Sequence, residues 1–334
     1  MSTRTQLISA IVAAGVAALI AAPHAEAQTK AKSVPKTAWG DPDITGTYAE
    51  FTTAPLERPA ELSNQEFYSS RDQWQVYAQK RIQEVDQDVE TIPGTQEDVH
   101  YDMGTFKLSE NEGTTSLNMR TSIVIQPKNG RIPALTPAAA ARRDSAAAAR
   151  KGHEFDGPES RSLTERCIVW PSTLAPILPR GYNSNLQIFQ SPGYVIIQGE
   201  MGDARMIPTD GRARPKDNLP QWNGTSIGHW EGDTFVVETA GFHPETAWRN
   251  STEKLRVTER IKRIDDTSLE YSFTVVDPDT WAEPWSGVYP LTKMDGLLFE
   301  YACTEGNYGL ANILSGERKR ERDAAARKTA PAVK

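Results

Sequence analysis

The run Leu255-Arg256-Val257-Thr258-Glu259-Arg260-Ile261 alternates apolar and polar residues, with one exception. Leu255, Val257 and Ile261 mark one face of a strand, and the two-residue side-chain period puts Glu259 on that same inward face. An inward carboxylate needs a partner or a raised pKa, because a buried unpaired charge is very costly. Three readings follow: a general base in a cavity, a structural ion pair with an inward arginine, or a strand bulge that turns Glu259 to solvent. A second constellation is His229-Trp230-Glu231-Gly232-Asp233, which supplies an imidazole and two carboxylates at two-residue spacing. It reads as acid/base chemistry by His229 at a cavity mouth, or as a structural histidine beside the ordinary Gly-Asp chemistry of a hairpin tip. No second nearby His or Cys completes a first shell of ligands, so no metal is expected.

A third group is Tyr182, Asn183, Asn185, Gln190, Glu200, Arg205, Asp210 and Arg212, polar positions recurring among apolar strand residues. A mostly apolar pocket with a few orienting polar groups is written this way. Turn chemistry at Asn183 and Asn185, and a surface pair of Asp210 with an arginine, explain the same residues without a ligand. The chain has eight tryptophans, and Trp222, Trp230 and Trp281 fall in its strand-rich half, where they line an aromatic cavity or plug the core. The elbow of serine hydrolases, the paired-histidine helix of zincins, the phosphate-binding loop and the dinucleotide fingerprint are all absent from the sequence. With 37 basic against 44 acidic residues and a net charge of -7, the chain offers no basic footprint for nucleic acid.

Short β-rich runs at 186–190, 194–198, 205–208, 234–239, 255–264, 269–276 and 297–303, with earlier ones at 46–51 and 121–126, must position these groups. Their short connections and the lack of strand-helix alternation predict a mainly β domain over 39–316. Its expected form is an antiparallel meander closed into a barrel or strongly curved sheet, with two helical appendages in the N-terminal half. The first helix, near 64–89, is expected to open on a capping box of Ser63 and Glu66 with Leu62 and Phe67 as its staple. The second, near 137–151, is alanine-rich with Pro137 in its first turn. Residues 317–334 read as a charged, solvated tail.

Arg4, the apolar run from Leu7 to Ala22 and the small residues Ala25 and Ala27 form a signal peptide pattern, with cleavage expected after Ala27. The apolar run is shorter than the roughly 20 residues that span a bilayer, so no stable membrane anchor is expected. Residues 28–38 are lysine-rich and aperiodic, a flexible leader. Export to the periplasm or beyond places Cys167 and Cys303, the only two cysteines, in an oxidising compartment. They read as one disulfide.

The segments Trp39-Gly40-Asp41-Pro42-Asp43-Ile44-Thr45-Gly46, Gly130-Arg131-Ile132-Pro133-Ala134-Leu135-Thr136-Pro137, Gly228-His229-Trp230-Glu231-Gly232-Asp233-Thr234 and Glu300-Tyr301-Ala302-Cys303-Thr304-Glu305-Gly306-Asn307-Tyr308 together resemble a large family of exported proteobacterial proteins. Gly46-Thr47-Tyr48 is similar to the Gly-x-Trp start of lipocalins, with Tyr where Trp is usual. These resemblances imply a lipocalin-like barrel and, by association, an aromatic, lignin-derived or steroid-like ligand. The leading functional expectation is a cofactor-independent lyase or isomerase acting on a bulky aromatic or apolar molecule in a cavity inside the barrel. Glu259 or His229 would move the proton, and Tyr182 and Arg205 would stabilise developing negative charge. The alternatives are a non-catalytic binding protein for the same ligand class, and a tryptophan-lined glycan hydrolase or lectin. The hydrolase needs a second carboxylate about 5 to 9.5 Å from the first, for which Glu200, Glu238 or Asp210 are the candidates.

Overall fold

The computed structural model describes residues 34–329 except 51, 86–118, 171–173, 180–184, 216–218 and 247. The expected signal peptide, most of the leader, Tyr182 and Asn183 lie outside the described residues. Ten strands are described: β1 (Gly46–Ala49), β2 (Val124–Gln126), β3 (Asn185–Ser191), β4 (Tyr194–Gly199), β5 (Arg205–Pro208), β6 (Thr225–Glu231), β7 (Thr234–Ala240), β8 (Arg256–Arg263), β9 (Ser268–Val276) and β10 (Trp285–Lys293). Nine of them follow the order β5-β4-β3-β1-β10-β9-β8-β7-β6, every pairing antiparallel, and β2 adds to β10. The two ends of this path, β5 and β6, come side by side without a hydrogen-bonded ladder, so the sheet is a nearly closed barrel with one seam.

Strand period builds the interior. Gly46 and Tyr48 of β1, Leu186 and Ile188 of β3, Val195 and Ile197 of β4, and Ile207 of β5 share the inward face through their registers. On the other wall Val257 and Ile261 pair with Val275 and Tyr271, which pair in turn with Trp285 and Tyr289. All these side chains apart from Gly46 are buried. At the seam, Gly228 of β6 makes close approach possible: a Cβ there would lie 2.5 Å from Phe235 and 2.9 Å from Ile207 on β5. The hairpin joining β6 to β7 turns at Gly232, whose φ of 60° is disfavoured for other residues. A segment outside the sheet fills the barrel: Leu174, Ala175 and Ile177 are buried, and the Ile177 backbone is held by two inward tyrosines.

Several expectations about elements are corrected. The first α-helix, α1 (Arg71–Val85), begins later than Ser63. Residues 65–68 run extended against 119–121, with Thr121 N–H bonded to the Glu66 carbonyl and Tyr68 N–H to that of Met119. The cap is a shifted version of the same device: Ser70 Oγ accepts from Gln73 N–H at 3.1 Å, and Gln73 Oε1 accepts from Ser69 N–H at 2.7 Å. Helix α2 (Pro137–Arg150) has Pro137 in its first turn and Thr136 as its cap, accepting from Ala139 N–H. Residues 317–329 of the charged tail belong to a helix, α3 (Tyr308–Thr329), which contains no buried residue and is laced by pairs such as Lys319 with Asp323. Residues 297–303 are not a strand, because β10 just before them is already paired on both sides and leaves no edge to join. Strands β6 and β10 are additions. Pro290 conceals β10 in the sequence, yet it falls between the part paired to β2 and the part paired to β1, where the missing N–H is harmless. Pro35 and Lys36 already hydrogen-bond to or bridge the loop at Pro42 and Asp43, so structure starts before Trp39.

Candidate functional site

Inward alternation on β8 puts Glu259 at the centre of the barrel, with no exposed surface. β5 is in register with β4 so that Arg205 pairs with Ile197, which turns the guanidinium inward too. The two meet across the interior. Arg205 Nη1 donates to Glu259 Oε1 at 2.9 Å and Nη2 to Oε2 at 2.5 Å. Nη2 also donates to Ser226 Oγ on β6 at 3.1 Å and to Thr239 Oγ1 on β7 at 3.2 Å. The Tyr271 hydroxyl on β9 donates to Glu259 Oε1 at 2.6 Å. The fork geometry is the strong form of an arginine-carboxylate contact. Burial works against the Arg205 charge, but Glu259 outweighs it and holds the guanidinium above its ordinary pKa. Burial, followed by the Glu259 charge, pushes the Tyr271 hydroxyl well above the tyrosine range. The network therefore ties β5, β6, β7, β8 and β9 together from inside, where the seam lacks a ladder.

Behind it the tyrosines grip the plug. The Ile177 N–H donates to Tyr271 Oη at 2.9 Å, and Tyr289 Oη donates to the Ile177 carbonyl at 3.1 Å. Burial first, then the nearby charges of Glu50 and Glu259, raise the Tyr289 pKa. Glu50 is itself fully buried. It follows the phase of Gly46 and Tyr48, a signal that the alternation of β1 carries. Tyr271 and Thr239 were equally readable, as members of the inward sets Leu269-Tyr271-Phe273-Val275 and Phe235-Val237-Thr239.

The remaining candidates are distributed. His229 and Glu231 share a face, with a ring nitrogen 3.2 Å from the carboxylate, but it is the outer one: Gly228 points in, so its neighbour points out. Glu231 also binds Arg260 at 2.8 Å, and these two arrangements hold its carboxyl below the usual range, Arg260 first. The barrel wall thus separates His229 from Glu259. Among the described residues no group of three or more His, Cys, Asp or Glu side chains is placed to hold a metal ion. Asn185 and Glu200 hold each other across the β3–β4 pair, Nδ2 to Oε2 at 2.9 Å. Gln190 clamps the N-terminal loop, accepting from Ile44 N–H at 2.7 Å and donating to the Pro42 carbonyl at 3.0 Å. Glu238 lies exposed on the outer face of β7, so of the three carboxylates considered as partners for Glu259, none shares its network. Trp222 packs at a tilt on His243, Trp230 at a tilt on Phe235, and Trp281 edge-on against Trp248 and Trp285, all against the core.

Arg205 and Arg212 both border a pocket of about 340 Å³ on the outside of the seam, Arg205 with its guanidinium turned away into the barrel. Tyr194, Met206, Pro208 and Ile227 supply its apolar wall, while Arg205 and Ser226 border it from the seam. Arg212 is forked onto Asp210, with Nε 2.8 Å from Oδ1, and its guanidinium lies over the Tyr194 ring at 5.2 Å. The Arg212 side chain bonds draw the Asp210 pKa from 3.8 down to about 2. Away from the pocket, Cys167 and Cys303 form a disulfide with Cα atoms 5.7 Å apart. Among the described residues no helix is long and apolar enough to cross a membrane. No protein-family model, curated protein or solved structure matches the chain.

Proposed function

We propose that this chain is an exported member of the proteobacterial group it resembles, and that it binds a small apolar or aromatic molecule in the pocket over the β5–β6 seam. The observation that carries the reading is the pocket itself: a volume of about 340 Å³ walled by Tyr194, Met206, Pro208 and Ile227, with Arg212 on its rim. That is the size and mixture of a small-ligand site. The disulfide between Cys167 and Cys303 supports export.

Binding is favoured over acid/base turnover on the state of Glu259. Both of its oxygens already accept charged or phenolic donors, and no part of it reaches solvent. A general base must be within hydrogen-bond reach of the proton it removes. With Glu259 as the base, the lyase or isomerase reading therefore requires the interior network to open, whereas the binding reading requires nothing to move.

The test is calorimetric titration of the mature protein with uncharged aromatic molecules, analysed for product in the same incubations. Saturable binding that disappears in Met206→Glu, at unchanged melting temperature, is the expected result. Met206 is 65% exposed, so the substitution alters the pocket wall without entering the core. Binding that survives in this variant would withdraw the pocket, and product formation would restore the enzyme reading.

A further inference from the structure

Two arginines border the pocket, yet neither brings a free charge to it. Arg205 is neutralised inside the barrel by Glu259, and Arg212 on the rim by Asp210, which engages Nε and Nη2. The depressed pKa of Asp210, about 2, keeps that second pair ionised at any ordinary pH. The whole chain adds a net charge of -7. A carboxylate entering the pocket would give up its hydration and meet an arginine whose charge is already compensated, with a net repulsive field behind it. An uncharged oxygen loses much less hydration, and a guanidinium has N–H donors beyond those its carboxylate fork uses.

From this pairing we propose that the seam pocket selects uncharged apolar molecules bearing a hydrogen-bond-accepting oxygen, such as aryl esters, ketones or ethers, and discriminates against the corresponding carboxylates. The proposal rests on the binding reading above and adds the ligand's charge and polar group to it. In this arrangement Asp210 is the specificity-determining residue. Arg212 presents the donor from its place over the Tyr194 ring, and Met206, Pro208 and Ile227 receive the apolar body.

The experiment compares methyl naphthoate with naphthoate, two probes with the same ring system, in the full-length mature protein and in Asp210→Asn. Asp210 is solvent-exposed and reaches the pocket only through Arg212, so the variant is expected to fold, and its melting temperature is measured alongside. In the wild type the ester should bind at least about tenfold tighter than the acid, or ~1.4 kcal/mol, with little dependence on salt. In Asp210→Asn the uncovered Arg212 should strengthen naphthoate binding by about tenfold, and added salt should reverse that gain. Tighter binding of naphthoate by the wild type overturns the proposal. So does an ester preference that is unchanged in Asp210→Asn, since it would reflect only the ester's larger apolar surface. Failure of both probes to bind, or binding of both that persists in Met206→Glu, removes the pocket itself and the selectivity with it.

Discussion

At the scale of single residues, Glu259 and Arg205 show how far position and role can separate. The inward carboxylate has the location of a general base, but its two oxygens serve the guanidinium and the Tyr271 hydroxyl. Removing one member of a buried pair leaves the other uncompensated, which costs about 3 to 5 kcal/mol. Glu259→Gln is therefore expected to lower the urea midpoint by a corresponding amount while leaving ligand affinity at the outer pocket nearly intact. Equilibrium unfolding and ligand titration on one preparation decide the matter. A fall in turnover of about 100-fold at undiminished stability would instead assign Glu259 a proton-transfer role. Its inward placement was readable from Leu255, Val257 and Ile261. The partner was not, because Arg205 is 54 residues away and its orientation depends on the register of β5 against β4.

At the scale of elements, the segment after β10 leaves β1 at Met294 and Gly296 and is then tied to residues 155–170, which lie outside the sheet. Asn307 Nδ2 donates to the Glu165 carbonyl at 2.9 Å, Arg318 reaches the Phe155 carbonyl at 3.1 Å, and Trp170 meets Tyr301 edge to face at 5.1 Å. Leu297 and Phe299 are 75% and 83% exposed. The Cys167–Cys303 bond adds a covalent fastening of this segment to the body. It closes a loop with a sequence separation of 136, for which the chain-entropy model gives about 5 kcal/mol. Under reducing conditions limited proteolysis should cut first between Met294 and Thr329 and leave a barrel-sized core. Equal resistance of α3 with and without reductant would show that the noncovalent contacts suffice. The helix itself exemplifies partial readability: the charges of 317–329 were plain, but the pairs Glu317–Arg320, Arg318–Glu321 and Lys319–Asp323 become favourable only once the backbone is helical.

For the whole molecule, closure by side chains has a dynamic consequence. β8, β9 and β10 each have a ladder on both sides, whereas β5 pairs only with β4 and β6 only with β7. Backbone hydrogen bonds at such edges open at lower free energy than those in doubly paired strands. Amide hydrogen exchange should be fastest in Arg205–Pro208 and along the seam edge of β6, and slowest in β8 to β10. Glu259→Gln should accelerate exchange in β5 and β6 more than in β9, because it loosens the link that spans the seam. Uniform acceleration through the barrel would mean that the ion pair supports the core as a whole.

The sequence alone determined the mainly β class, most strand positions, the inward face of the Leu255–Ile261 strand and the pairing of the only two cysteines, since a two-residue period and a cysteine count are local or compositional facts. The alanine-rich helix was equally local, with Pro137 in its first turn and Thr136 as its cap. Only the tertiary structure decided which inward groups meet. Barrel curvature brings Arg205 to Glu259, places Ile177 between Tyr271 and Tyr289, turns His229 outward, and gathers Arg212 with Met206 and Ile227 at the seam. These meetings depend on strand order, register and closure, which are set by the packing of distant segments and leave no periodic trace in the chain.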